Sequence, residues 1–186
     1  MSATFRADDE QVSSPFEGEL IRLRAIEEDD LPRINEEFWN PEVTQHLSMT
    51  WPEPIAGTRA WLEMRRSSPD ATFAIETLAG ELVGVCGLEN LDPRSRSAVL
   101  GIWIAQSRWH QGLGTDAVRT LCRFGFREMN LHRISLSAYE TNSRGIRAYE
   151  KVGFKEEGRR RAAQFIGGRY VDVIEMALLE DELIQP

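Results

Sequence analysis

Polar and apolar residues alternate in several short stretches of this 186-residue chain, and stretches of helical period lie between them. From Glu19 onward, Leu20, Arg22 and Arg24 alternate with Ile21, Leu23 and Ala25, the period-2 signature of a first strand. Asp29 or Asp30 then caps a helix with Pro32 in its first turn, and Leu31, Ile34 and Phe38 share one face. Asn40-Pro41 interrupts that helix, Trp51-Pro-Glu-Pro54 reads as a loop, and Thr58 to Arg66 as a second helix. Three strand-like segments follow, Thr72–Thr77, Leu82–Asn90 and Ser97–Ala105, joined by short links rich in turn residues, as in an antiparallel meander.

The second half changes rhythm. Ala117, Val118, Leu121, Cys122 and Gly125 recur at helical spacing, Arg133–Ala138 is β-rich, and Asn142–Val152 is helical with Gly153 in the C-cap position. Arg160–Ile166, Gly167-Gly168 and Arg169–Leu179 read as a closing hairpin around a two-glycine turn. Residues 1–17 carry few apolar groups and read as a disordered leader, followed by one domain over residues 18–183.

Composition narrows the function classes. The net charge of −8 and a pI near 5.0 argue against nucleic acid or an anionic membrane as the main partner, since both need a basic footprint. An acidic chain is compatible with a cationic substrate. No apolar run reaches the ~18 residues of a membrane span, and the start of the chain lacks an apolar signal-peptide core, so a cytoplasmic protein is expected. Cys86 and Cys122 sit in separate apolar runs and read as buried free thiols. His46, His110 and His132 lack metal-ligand spacing with Cys, Asp or Glu, so no metal is expected.

The chemistry concentrates at Trp109-His-Gln-Gly112-Leu-Gly114-Thr115. A strand, a glycine-rich turn and a helix start fall in that order. Backbone N–H groups without intrahelical partners then lie beside the positive end of a helix dipole, a site for a phosphate or pyrophosphate. Gly112-x-Gly114-x-x-Ala117 formally satisfies the dinucleotide fingerprint, with Glu140 at a suitable distance. That fingerprint belongs after the first of several parallel strands, whereas three hairpin-linked strands precede the turn here. No Gly-Lys-Ser/Thr follows the glycines, which excludes a P-loop.

Thirty residues on stands Asn142-Ser-Arg-Gly-Ile-Arg-Ala-Tyr149-Glu-Lys-Val-Gly153-Phe154. With the strand Leu100–Ala105 and the Gly112-x-Gly114 turn, in this order and spacing, the chain resembles the GNAT superfamily of acyl-CoA-dependent N-acetyltransferases over about Gly18 to Leu183. Leu20-Ile-Arg-Leu-Arg…Glu-Asp-Asp-Leu31 and Gly168-Arg-Tyr-Val-Asp172 resemble its ribosomal-protein N-terminal acetyltransferase and spermidine acetyltransferase branch. The resemblance implies an α/β fold whose central mixed, mostly antiparallel sheet splays between the strand ending at Ile104-Ala105 and that near Arg133–Ala138. It also implies acetyl-CoA as cosubstrate, its pantetheine paired to the freed strand at Ile104 and Ala105 and its pyrophosphate on the backbone of Trp109, His110, Gln111, Gly112, Leu113, Gly114 and Thr115. Trp109 departs from the superfamily's usual Arg or Gln and removes a cationic contact, while Gly145 stands where Ala or Ser is usual.

The same resemblance gives Tyr149 as proton donor to the departing thiolate, since a phenol of pKa ~10 is protonated at neutral pH. It places Asn142 on the pantetheine, on its own helix cap, or on both, and Lys151 within reach of a phosphate. Glu89, at the end of a central strand, is the expected base for the acceptor amine, with Glu53 and Asp92 as alternatives. Helix packing accounts for most of Phe38, Trp39, Trp51 and Trp61, and Trp51 is the one expected to line an acceptor pocket. The acceptor is a small amine, a polyamine or a protein N-terminus. A homodimer is compatible with this reading, and so is a non-catalytic acyl-CoA-binding module of the same fold.

Overall fold

The computed structural model describes residues 14–47 and 51–186. Seven strands form one sheet, β1 (Ile21–Arg24), β2 (Ala71–Thr77), β3 (Leu82–Asp92), β4 (Ser97–Ile104), β5 (Arg133–Tyr139), β6 (Lys155–Ile166) and β7 (Arg169–Leu179), in the order β1-β2-β3-β4-β5-β7-β6. Every neighbouring pair is antiparallel except β4–β5, so the mixed, mostly antiparallel sheet is as expected. Gly167 (φ 56°) and Gly168 (φ 82°) make the β6–β7 turn, where two successive left-handed residues suit glycine.

Among the described residues there are five α-helices: α1 (Leu31–Phe38), α2 (Pro41–Thr44), α3 (Ile55–Arg66), α4 (Leu113–Arg127) and α5 (Ser143–Val152). The interruption read at Asn40-Pro41 is itself the start of α2, because the Asn40 side chain accepts from the Glu42 N–H at 3.0 Å and caps it. α4 and α5 lie over one face of the sheet, burying Ala117, Leu121 and Val152 against Leu88, Leu100 and Ile134. Over the other face, α1 and α3 bury Ile34 and Leu62 against Ala74 and Val85. Cys86 and Cys122 are buried and unbridged, and burial pushes both thiols well above their ordinary pKa.

Most of the expected leader lies outside the described residues, but its end is built into the domain. The Phe16 ring sits 5.7 Å from Phe73 and 5.1 Å from Phe124, and its carbonyl accepts from the Leu23 N–H at 2.8 Å. A lone aromatic in a polar stretch gave no periodicity from which that docking could be read. Among the described residues, no helix is long and apolar enough to cross a membrane.

Candidate active site

The site begins with how β4 uses its backbone. The Ala105 N–H donates to the Val83 carbonyl at 2.8 Å, which fixes the alternation along the strand. Val99, Gly101 and Trp103 turn their peptide groups to β3, and Leu100, Ile102 and Ile104 turn theirs toward β5. β5, however, pairs with β4 only from Ser97 to Val99. Beyond Val99 the two strands part, and a cleft of about 590 Å³ opens between them. Leu100 and Ile102 therefore present hydrogen-bonding groups to the cleft, as an extended ligand would need.

One end of the cleft is the glycine turn. His110 (φ 63°) and Gly112 (φ 81°) both adopt left-handed conformations, which bends the chain sharply into α4. The N–H groups of Leu113, Gly114 and Thr115, in the first turn of that helix, have no intrahelical acceptor. The Trp109 indole N–H donates to the Ile104 carbonyl at 2.8 Å, so this side chain ties the turn to the end of β4.

Charge at the cleft opposes the charge of the chain. Arg144, Arg147 and Lys151 all line it, and their spacing puts them along one side of α5. The Arg144 guanidinium lies 3.2 Å from the centre of the Trp109 ring, a cation–π stack that holds it in place. Burial lowers the Arg144 pKa from its ordinary value, though an arginine remains charged there. Burial, with Arg144 nearby, also lowers that of His46, whose buried Nδ1 has no partner at the cleft wall. The cation that Trp109 displaces from the turn is thus restored from α5. Sequence reasoning missed Arg144 and Arg147; the signal was three cations at i, i+3 and i+7 in an otherwise acidic chain.

Tyr149 projects into the same cleft and packs on Phe154 with ring centres 5.9 Å apart. Burial pushes its phenol up to about 12, against the opposing pull of Arg144. Asn142 also lines the cleft, and its Oδ1 accepts from the Gly145 N–H at 3.0 Å, capping α5. A Cβ on Gly145 would stand 2.6 Å from Asn142 Nδ2, so the glycine leaves room for that cap.

Ile104, Trp109, His110, Gln111, Gly112, Leu113, Gly114, Thr115, Asn142 and Tyr149 therefore converge on one cleft. Ala105 does not: its N–H is bonded to Val83 and its side chain is buried in the sheet. Glu89 stands instead in a second cavity of about 370 Å³ on the α1/α3 side, where Arg65 Nη2 donates to it at 2.7 Å. The two cavities share Leu47, Gly101, Ile102 and Trp103, so they meet along β4 and beside the chain that follows α2. Trp51 is 69% exposed and lines neither, whereas Trp39 and Trp61 line the second cavity. Glu53 is at that cavity too, but Asp92 is occupied in its own turn, accepting from the N–H groups of Arg94 and Ser95 and from the Ser95 hydroxyl. Among the described residues, no three His, Cys, Asp or Glu side chains are grouped to hold a metal.

Residues 21–155 match the acetyltransferase (GNAT) domain family. The chain belongs to that family. This GNAT protein is 28% identical over 168 residues to the spermidine N(1)-acetyltransferase of Vibrio cholerae, covering 88% of this chain and 95% of the relative. It is 35% identical over 103 residues to the putative ribosomal N-acetyltransferase YdaF of Bacillus subtilis, covering 55% of this chain and 56% of that protein. The structure of the Vibrio cholerae spermidine enzyme in complex with CoA and spermine superposes with a TM-score of 0.82 at 27% identity, over 87% of this chain and 96% of that one. The GNAT protein is an acyltransferase, and its cosubstrate is acetyl-CoA.

Proposed function

We propose that the protein transfers the acetyl group of acetyl-CoA directly to a primary amine, in the cytoplasm, within a ternary complex. The observation that carries this reading is the meeting of two cavities along Gly101–Trp103, one lined by freed backbone and cations, the other by aromatics and two carboxylates, Glu53 and Glu89. The pantetheine arm lies as an added strand along Leu100 and Ile102. The pyrophosphate lies on the N–H groups that begin α4, with Arg144 and Arg147 beside it.

The amine enters from the second cavity. Its ammonium gives up a proton to Glu89, directly or through one water, and the neutral nitrogen attacks the thioester carbon. A backbone N–H of the open edge of β4 meets the charge that grows on the thioester oxygen, a contribution of about 2.7–4 kcal/mol for such donors. The carbon–sulfur bond then breaks as Tyr149 donates its phenolic proton to the sulfur, and the surplus proton on the new amide nitrogen passes to the tyrosinate, directly or through water, which restores the phenol. Glu89 is held in place by Arg65, whose Nη2 donates to it at 2.7 Å.

Acetyl-CoA at about a hundred times its Kd stabilises the fold by about 2.7 kcal/mol, equivalent to about 5–10 °C in Tm. NAD and ATP leave Tm unchanged; equal shifts from all three defeat the assignment of the cleft. Arg144→Ala raises the Kd for acetyl-CoA about tenfold and flattens its dependence on salt, with kcat changed less than threefold. An unchanged Kd removes Arg144 from cofactor binding.

A further inference from the structure

The floor of the second cavity carries little side chain. Thr72 pairs with Gly87 and Gly87 with Gly101, so two of three residues in register across β2, β3 and β4 are glycines, and the Thr72 side chain leans beside Gly87. A Cβ on Gly101 would meet nothing nearer than Glu89 Oε1 at 3.6 Å. The adjacent row, Ala74–Val85–Trp103, supplies an indole wall, and Phe38, Trp39 and Trp61 supply the rest. A pocket of this size and lining suits one compact apolar group.

Its polar groups are few and specific. Arg65 bridges Asp70 at 3.1 Å and Glu89 at 2.7 Å, so the carboxylate nearest the floor is already paired. Glu53 is exposed. Two residues that line the cavity each hold a buried polar atom without a partner, Arg65 Nε and Thr72 Oγ1. Both can donate a hydrogen bond, and an orphaned buried donor calls for an acceptor oxygen. Arg65 Nε belongs to the same planar guanidinium that holds Glu89. An oxygen bonded there lies a short way from the carboxylate that would take an ammonium.

We propose that the acceptor is the α-amino group of an apolar residue of aromatic size. Its side chain fills the hollow over Gly101, its amine meets Glu89, and its own carbonyl oxygen accepts from Arg65 Nε and Thr72 Oγ1. This rests on the acetyl-transfer reading above and sharpens it: a polyamine offers neither the apolar body nor the oxygen.

Binding to the protein–CoA complex is read by calorimetry, which needs no turnover. L-phenylalanine amide binds at least tenfold more tightly than 2-phenylethylamine, which lacks the oxygen, and about a hundredfold more tightly than spermidine. Free L-phenylalanine and a tetrapeptide beginning with phenylalanine separate the two sources of this chemistry, a free amino acid and a chain N-terminus. Spermidine or 2-phenylethylamine binding as well as the amide overturns the proposal, as does no binding of the amide. In Arg65→Lys, which keeps the charge for Asp70 and Glu89 but loses Nε, the amide-to-phenylethylamine ratio falls to about one while the Kd for CoA holds. Thr72→Val serves the same readout where Arg65→Lys does not fold, and a preserved ratio overturns the assignment. Acetylation of spermidine but not of the amide overturns this proposal and leaves the transfer reading standing; an amide that binds while none of these amines is acetylated sinks the transfer reading, and this proposal with it.

Discussion

Replacing Tyr149 by phenylalanine lowers kcat by about 10²–10³-fold and leaves the Kd for acetyl-CoA within about twofold. The substitution removes one hydroxyl from the cleft and keeps the ring on Phe154. Only proton donation to the leaving sulfur is lost, so the effect falls on kcat and not on cofactor affinity. The raised phenol adds a second readout. A tyrosine at its ordinary pKa would begin to lose its proton near pH 10, and activity would fall from there. With the phenol pushed up to about 12, the donor stays protonated two pH units further. The kcat/KM profile therefore rises as the acceptor amine deprotonates and shows no falling limb below about pH 11. An unchanged kcat in Tyr149→Phe removes Tyr149 as the donor, whereas a wild-type decline near pH 10 that is lost in Tyr149→Phe keeps the donor and shows that its phenol is not pushed up.

What sequence could see of this site was whatever is local. The turn at Gly112, the cap at Asn142 and the hairpin at Gly167-Gly168 are each set by a few adjacent residues, and each stands where it was read. The division of the chain into strands and helices also follows from their periods. The splay of β4 from β5 is another kind of fact. It came from the resemblance alone, because nothing in Leu100–Ile104 or Ser135–Tyr139 marks where a pairing partner stops. Ala105 was misplaced for the same reason: which peptide groups face β3 depends on a register set by Val83 on another strand.

The tryptophans carry the same lesson. Trp51 sits in a loop and so invited a binding role, while Trp39 and Trp61 belong to helical stretches and invited packing. The hollow that makes Trp39 and Trp61 cavity walls exists because Gly87 and Gly101 pair across two strands. Each glycine alone reads as a weak point in a strand. Only their registration turns two missing side chains into a binding volume, and registration is non-local.

Asp116→Ala destabilises the fold by about 3–5 kcal/mol, through a carboxylate that no motif singled out. The Asp116 side chain is buried near the start of α4, where it accepts from the N–H groups of Glu19 at 3.2 Å, Leu20 at 2.8 Å and Ile21 at 3.2 Å. Three donors nearly a hundred residues away in sequence thus share one anion, which the helix dipole also favours. Gly18 admits this arrangement, since a Cβ there would fall 2.3 Å from Asp116 Oδ2. Alanine leaves those donors short of an acceptor at the buried start of β1, where Ile21 is fully enclosed. Asparagine keeps one acceptor oxygen but turns an amide toward the same donors, so Asp116→Asn falls between alanine and the wild type. Urea unfolding gives the free energies, and hydrogen exchange at Leu20 and Ile21 localises the loss. Because Asp116 stands one turn from Gly112, loosening it also frees the pyrophosphate turn, and the Kd for acetyl-CoA rises in step with the lost stability. A loss below about 1 kcal/mol means that water satisfies the three amides as well as the carboxylate does, and β1 is then held by its pairing with β2 and by the burial of Ile21 and Leu23.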